Sequence, residues 1–439
     1  EWDDSNAETR SSSELWSYFR SLADTQGRAV SNKGDIAAAE DAAYRSIELE
    51  FEFPYLAHAT MEPLNCVVEL GADRCHIWTA AQAPSLDVQL VAQVTGIAPA
   101  KVVIHTQFAG GSFGRRAVPD SDYIVEAAMI ARALQRPAPI SLQWSREDDM
   151  QAGRYRPMTL HRLRAGIDDK AGIISWRHMV VAQPVFRDTP FEAMISEPVD
   201  NTITEGGSKL PYAIPNMRME AHEARAGVPV LWWRSVGHSH NAYATEVFLD
   251  ELAIALNRDP LQLRSELLKE HPRHLAVLKL AADKAGWGKM LPAGRAQGLS
   301  LHESFNTFVA QIAEVTLAED GSYSVDRVVC AVDCGIAVTP DVIRAQMEGG
   351  IGFGLSSITR ESISLKNGLV EQDNYPNYRP LRIDEMPRIE VHIMPSNEPP
   401  TGVGEPGTPP IGPAVANALR RLTGTPITRL PIGARVSLT

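Results

Sequence analysis

A single carboxylate, Glu405, stands in the run GVGEPG at 402–407, between glycines and a proline and just ahead of a helix expected from about Pro413 through Leu422. Fixed on such a loop at the mouth of a pocket, a glutamate can take a proton from a reacting group; free in solvent it is an ordinary surface charge. The run GGSFGRR at 110–116 offers backbone with little side-chain obstruction, so its peptide N–H groups can approach a bound anion, although a plain strand-to-helix turn has the same composition. On an extended segment the adjacent Arg115 and Arg116 point to opposite sides. Arg234 follows two tryptophans, and a cation in an apolar cluster needs a partner, either in a pocket or in a buried ion pair. His238 and His240 lie two apart with no third ligand near them, which points to a supporting role and not to a metal pair. The string GIGFG at 350–354 lacks the preceding strand, the properly spaced third glycine and the later acidic residue of a dinucleotide loop.

These residues need a scaffold of some size. The chain has 439 residues, 44% of them hydrophobic, enough for two or three domains with large cores. Its 42 basic and 54 acidic residues leave a net charge of −12, which excludes a nucleic-acid partner held through clustered Lys and Arg. No apolar run reaches the length of a membrane span. Four cysteines are too few for a disulfide framework and read as inert core thiols. None of the clustered cysteine arrangements that hold an iron–sulfur centre is present, so any such cluster belongs to a partner.

The elements expected to position the candidates alternate. A helix over 11–23 opens with the Ser11/Glu14 capping-box pattern; a helix over 35–44 and an alternating strand in RSIELEFEFPY follow. Strands are expected over 66–70, 76–79 and 102–106, and helices over 85–95, 123–134 and 244–256. Residues 286–298 have a linker's composition, and beyond them a hairpin turns at 319–321. The class is α+β.

In their order, Gln82 in WTAAQ, GGSFGRR, WRSVGHSHN leading into EVFLDELAIAL and DPLQLR, VDCGIAVTPDVIRAQMEGGIGFG and GVGEPG resemble the molybdopterin-binding subunit of the xanthine dehydrogenase and aldehyde oxidase family. In detail the chain is most similar to the branch of isoquinoline 1-oxidoreductase beta subunits and bacterial aldehyde dehydrogenases, which favour RR after GGxFG. The resemblance runs from Pro54 to the end and implies a hammerhead-like remnant over 1–54, a first molybdopterin-binding domain over 55–290 and a second over 291–439 that carries the catalytic glutamate. It implies molybdopterin cytosine dinucleotide, its molybdenum bearing oxo and sulfido ligands and no protein side chain. Gln82 would then hydrogen-bond an oxygen on the metal, and Gly110, Gly111, Phe113 and Gly114 would cradle the same group. Arg115 or its neighbour would reach the cofactor phosphate, Arg234 and Gln346 would hold the cofactor, and Phe113, Trp233 and Phe305 would wall the substrate pocket. Glu405 would be the base in the oxidation of an aldehyde or an N-heteroaromatic carbon by water. Glu62 in HATMEPLN would be a buried structural carboxylate. Implied partners are the chain or segment with the missing N-terminal half, a small subunit with [2Fe–2S] clusters and a cytochrome c. The implied location is periplasmic or membrane-associated through partners, with the cytoplasm as the alternative. Two departures matter: Ala117 stands where xanthine-type members orient substrate with a carboxylate, and SVG follows Arg234 in place of GFG. The competing readings are a non-catalytic assembly chain that keeps the glycine runs, and an unrelated flavin or nicotinamide dehydrogenase.

Overall fold

The computed structural model describes residues 3, 5, 7–135 and 138–437. Its first elements are α1 (Ser12–Ala23), β1 (Arg28–Lys33), α2 (Ile36–Asp41) and β2 (Arg45–Phe53). The capping box at Ser11 and Glu14 forms as expected, while α2 stops short of Tyr44. A small unit follows: β3 (Asn65–Leu70), β4 (Cys75–Thr79), α3 (Pro84–Thr95), β5 (Val102–Thr106), α4 (Asp122–Leu134), β6 (Ile140–Gln143) and α5 (Arg146–Gln151). Its four strands pair in the order β5-β4-β3-β6. The helix faces of α3 and α4 bury Val91, Ile124, Ala127 and Ala128 against Val68 and Ile77.

The chain then builds β7 (Thr159–Ile167), β8 (Ile173–Ala182), α6 (Asn201–Thr204) and β9 (Asn216–Glu223). These strands join the first two in one sheet, β1-β9-β8-β7-β2. The remnant expected over 1–54 is therefore corrected: its strands are the two edges of a sheet whose centre comes from much later residues. An edge strand alone cannot bury its apolar face, and Phe51 and Phe53 do so here against the core of the following helices.

Those helices are α7 (His238–Ala255), α8 (Pro260–Leu267) and α9 (Pro272–Ala285). Helix α7 begins at the GHSHN run, six residues ahead of the expected start, and buries 13 of its 18 residues, as a helix in the middle of a large domain must. Its Glu246 and Asp250 would be costly there without a cation. The DPLQLR run supplies one: Asp259 caps α8, and Arg264 meets Glu246 Oε2 at 3.0 Å and Asp250 Oδ1 at 2.7 Å.

Beyond α9 come β10 (Arg295–Ser304), β11 (Thr307–Leu317), β12 (Tyr323–Asp333), α10 (Pro340–Thr359), the two-residue strands β13 (Leu365–Lys366) and β14 (Leu369–Val370), β15 (Arg388–Ile393) and α11 (Ile411–Thr423). The sheet order is β10-β11-β12-β15, the last pair parallel across α10. Part of the expected linker over 286–298 is thus the start of β10. Helix α11 packs on β10 and β11 and against α7, so one apolar core runs through both halves of the chain. The QMEGGIGFG run lies wholly inside α10. Its glycines are packing devices: a Cβ at Gly354 would stand 2.6 Å from Ile411 Cγ2 and one at Gly350 would stand 3.0 Å from Gly407 C. Without side chains there, α10 approaches the 402–410 loop closely.

Candidate active site

Glu405 is half-buried on that loop. The peptide N–H of Ser235 donates to Glu405 Oε1 at 2.9 Å, and the Ser235 hydroxyl donates to the Glu405 main-chain carbonyl at the same distance. Beside it the Arg234 guanidinium donates through Nε to the Gly404 carbonyl (2.8 Å) and through a terminal nitrogen to Gln346 Oε1 (3.0 Å). Burial pulls Arg234 below the usual guanidinium range, opposed by the nearby Glu405. The Arg234 peptide N–H in turn donates to the Phe113 carbonyl at 3.0 Å. Phe113, Arg234, Gln346 and Glu405, far apart in sequence, are therefore brought together by four segments that hold one another through main-chain groups.

The backbone here is strained. Of the twelve non-glycine residues with positive φ among the described residues, Phe113 (57°), Ser235 (78°), Val236 (46°), Phe305 (52°) and Asn306 (61°) belong to this neighbourhood. A β-branched valine in the left-handed region is costly, and such conformations persist where surrounding contacts enforce them, commonly at functional sites. Nothing in the composition of SVG signals it. Phe305 and Asn306 form the two-residue turn of the β10–β11 hairpin, Ser304 facing Thr307 across it.

The glycine run at 110–116 is a tight turn, not an extended segment. Gly110 N–H donates to Glu62 Oε2 at 2.8 Å, and Arg116 pairs with the same oxygen at 2.9 Å and donates to the Gly111 carbonyl at 3.0 Å. Glu62 is thus structural, as expected, but partly exposed and not buried. The expectation for Arg115 is corrected: the turn folds both arginines inward, and Arg115 is 1% exposed and paired with Asp122 at 2.8 Å, out of reach of an outside phosphate. Trp233 is corrected as well. It is 1% exposed and stacks on Phe353 at 4.5 Å, while Phe353 stacks on Phe113 at 4.1 Å, so the tryptophan is a second layer behind the pocket residue. Phe353, which joins the two, was not among the expected residues; it lies in the glycine-rich part of α10, where local pattern gives no hint of it.

Gln82 is exposed, and its carbonyl accepts from the Ser112 hydroxyl, leaving its NH2 without an acceptor among the described residues. Phe305 is 37% exposed at the hairpin turn, packed against His238 with ring centroids 5.1 Å apart. His238 and His240 separate: the first meets His302 at 2.8 Å and the second meets His161 at 3.0 Å. Burial pushes His238 down to about 4 and His240 well below the usual imidazole value, so both are neutral supports, as expected.

The donor set fits an anionic, oxygen-rich cofactor. Gly404 and Gly349 present bare backbone beside the Arg234 guanidinium: a Cβ at Gly404 would meet nothing within 4 Å, and one at Gly349 only Arg234 at 3.9 Å. Gln82 adds a free amide. Among the described residues no group of three or more His, Cys, Asp or Glu could hold a metal directly.

Models of the molybdopterin cofactor-binding domain match residues 22–268 and 278–387. The chain is 34% identical over 406 residues to isoquinoline 1-oxidoreductase subunit beta of Brevundimonas diminuta, covering 90% of this chain and 51% of the relative. It is 28% identical over 434 residues to the membrane-bound aldehyde dehydrogenase (pyrroloquinoline-quinone) of Gluconacetobacter polyoxogenes, covering 92% and 55%. The chain therefore spans about half the length of the curated relatives it matches. Quinoline 2-oxidoreductase from Pseudomonas putida 86 shares the fold, with a TM-score of 0.80 over 94% of this chain and 78% of that one at 13% identity. The chain belongs to the molybdopterin-binding subunits of the xanthine dehydrogenase family.

Proposed function

We propose that this chain carries the catalytic base and one wall of the cofactor site of a molybdenum hydroxylase acting on an aldehyde or an N-heteroaromatic ring. The observation behind the reading is the carboxylate of Glu405, held by the N–H of Ser235, itself at positive φ, on a loop whose Gly404 presents bare backbone. When bound, the cofactor would supply an electron sink and an activated oxygen derived from water. Glu405 would serve as the general base that takes up the proton released in the reaction, a role worth about 10² to 10⁴ in rate. Gln82 and the 111–114 backbone would donate to the anionic face of the cofactor, Arg234 and Gln346 would bind its polar scaffold, and Phe113 and Phe305 would exclude water from the substrate side. Overall, a substrate C–H becomes C–OH, water supplies the oxygen, and two electrons and two protons leave.

Within the same reading the cofactor is the cytosine dinucleotide form, and the electrons pass to [2Fe–2S] clusters of a small partner subunit and onward to a cytochrome c. A further chain or segment completes the cofactor site, and the assembly is periplasmic or membrane-associated through its partners. A non-catalytic assembly chain would need the glycine runs but no positioned base, so Glu405 favours the enzyme. Elemental analysis together with intact-mass measurement of the native assembly tests this: molybdenum, iron, sulfide and companion chains are expected, and a preparation free of molybdenum overturns the reading.

A further inference from the structure

Between strands β1, β8 and β9 and the segment after α6 lies a cavity of about 140 Å³, apart from the candidate active site and lined by none of its residues. Small-molecule sites run to roughly 300–1,000 Å³, so this one has room for a single small ion and not for a nucleotide or a two-ring substrate. The register sets Trp176 of β8 beside Met217 of β9 and that beside Lys33 of β1, with His178 and Met219 in the next row, so these side chains share one face of the sheet. Trp176 and His178 are each 1% exposed, and Trp176 Nε1 and His178 Nδ1 are buried without a hydrogen-bond partner among the described residues. An indole N–H can only donate, and a buried donor left alone is costly unless a ligand or water accepts from it. Lys33 and Lys209, both exposed, add two cations at the rim. Arg218 adds a third; its guanidinium meets Glu220 Oε1 at 2.8 Å while its buried Nε has no partner. No described carboxylate lines the cavity, and Glu197 approaches it only through the Ser208 hydroxyl, which donates to it at 3.5 Å. In a chain of net charge −12, a lining of cations and unpaired N–H groups selects an anion.

His178 carries the preference inward. Its Nε2 lies 2.8 Å from His161 Nδ1, and His161 Nε2 lies 3.0 Å from His240 Nδ1 in the first turn of α7. Burial holds all three imidazoles neutral, His178 down to about 3 and the others well below the usual value. Each neutral ring has one N–H to give. An acceptor in the cavity puts that of His178 on Nδ1, and the other two then donate in turn toward it, His240 to His161 and His161 to His178.

We propose that this cavity binds a small inorganic oxyanion of the phosphate or sulfate class, with the Trp176 and His178 N–H groups as its inner donors and Lys33 and Lys209 as its outer charges. Calorimetric titration of inorganic phosphate, sulfate and chloride into the native assembly, in a buffer free of other oxyanions, tests it. Wild type takes up phosphate or sulfate saturably and at least about tenfold tighter than chloride. Trp176→Phe, which keeps a ring against Phe248 but loses the N–H, weakens that binding about tenfold, and Lys33→Ala combined with Lys209→Ala weakens it several-fold. No saturable uptake, chloride held as tightly as sulfate, or an unchanged affinity in Trp176→Phe overturns the proposal. Should Trp176→Phe fail to assemble, the double lysine variant decides, through its several-fold loss or none. Oxidation of an aldehyde or a ring is no part of the readout, so an assembly that binds the ion in this way but oxidises neither keeps the site and removes the function proposed above. Turnover without saturable uptake does the reverse.

Discussion

At the scale of single residues, the arrangement around Glu405 depends on groups that sequence pattern reaches unevenly. Glu405, Gln82 and the 110–114 turn stand out because glycine, proline and amide side chains at fixed places announce backbone that must come close to something. Ser235 and Val236 do not, since their positive φ is imposed by contacts from four separate segments. Arg115 misleads for a related reason: whether an arginine beside a glycine run faces out or in depends on where Asp122 lies, which the local sequence does not encode. Arg234 is the clearest residue to probe. Its planar fork bridges the Gly404 carbonyl and Gln346, a geometry that a lysine ammonium cannot reproduce. Arg234→Lys is expected to lower turnover about tenfold or more while changing stability by less than about 1 kcal/mol, because the charge stays and only the bridge is lost. Steady-state rates beside thermal denaturation measure the two effects separately.

At the scale of elements, the glycines of α10 set how near that helix comes to the Glu405 loop. A methyl group at Gly354 would press on both Ile411 and the Thr408 carbonyl, so Gly354→Ala is expected to cost about 1–3 kcal/mol and to reduce turnover beyond the stability loss, as read by denaturant titration and kinetics. Gly404→Ala is the contrast. With nothing near its Cβ position, folding stability is expected to stay within about 0.5 kcal/mol, and molybdenum content to fall if bound cofactor occupies that space. The α7–α8 pairing makes another separation visible. Arg264→Met leaves the Glu246 and Asp250 carboxyls buried without their cation and is expected to destabilise by about 3–5 kcal/mol. The first three strands and the first two helices of the small 65–151 unit were legible because each alternates or repeats its apolar residues, whereas the short β6 and α5 were not. The α10 glycines were not, because a helix rich in glycine contradicts local propensity and is stabilised by packing that only the whole fold supplies.

At the scale of the whole molecule, the candidate site lies on an exposed side of the chain. Gly110, Gly349, Gly402 and Gly404 are open to solvent, as are the apolar Phe108 and Met61 beside the glycine turn. Exposed apolar groups around bare backbone are what a cofactor and a covering segment would bury. The chain expressed alone is therefore expected to hold no molybdenum and to acquire it only with its companion segment and subunits, as metal analysis of each preparation will show; a fully metallated lone chain would overturn that division of the site. The family was readable because several motifs occur in sequence, whereas the shared sheet of β1, β2 and β7 to β9 was hidden by the distance between its strands. All three scales converge on one carboxylate, half-buried on a loop whose preceding glycines, Gly402 and Gly404, are open to solvent. The most direct measurement compares Glu405→Gln with wild type in the assembled enzyme for molybdenum content and kcat: unchanged metal with a loss of about 10² to 10⁴ in rate is expected, and near-normal turnover would contradict Glu405 as the base.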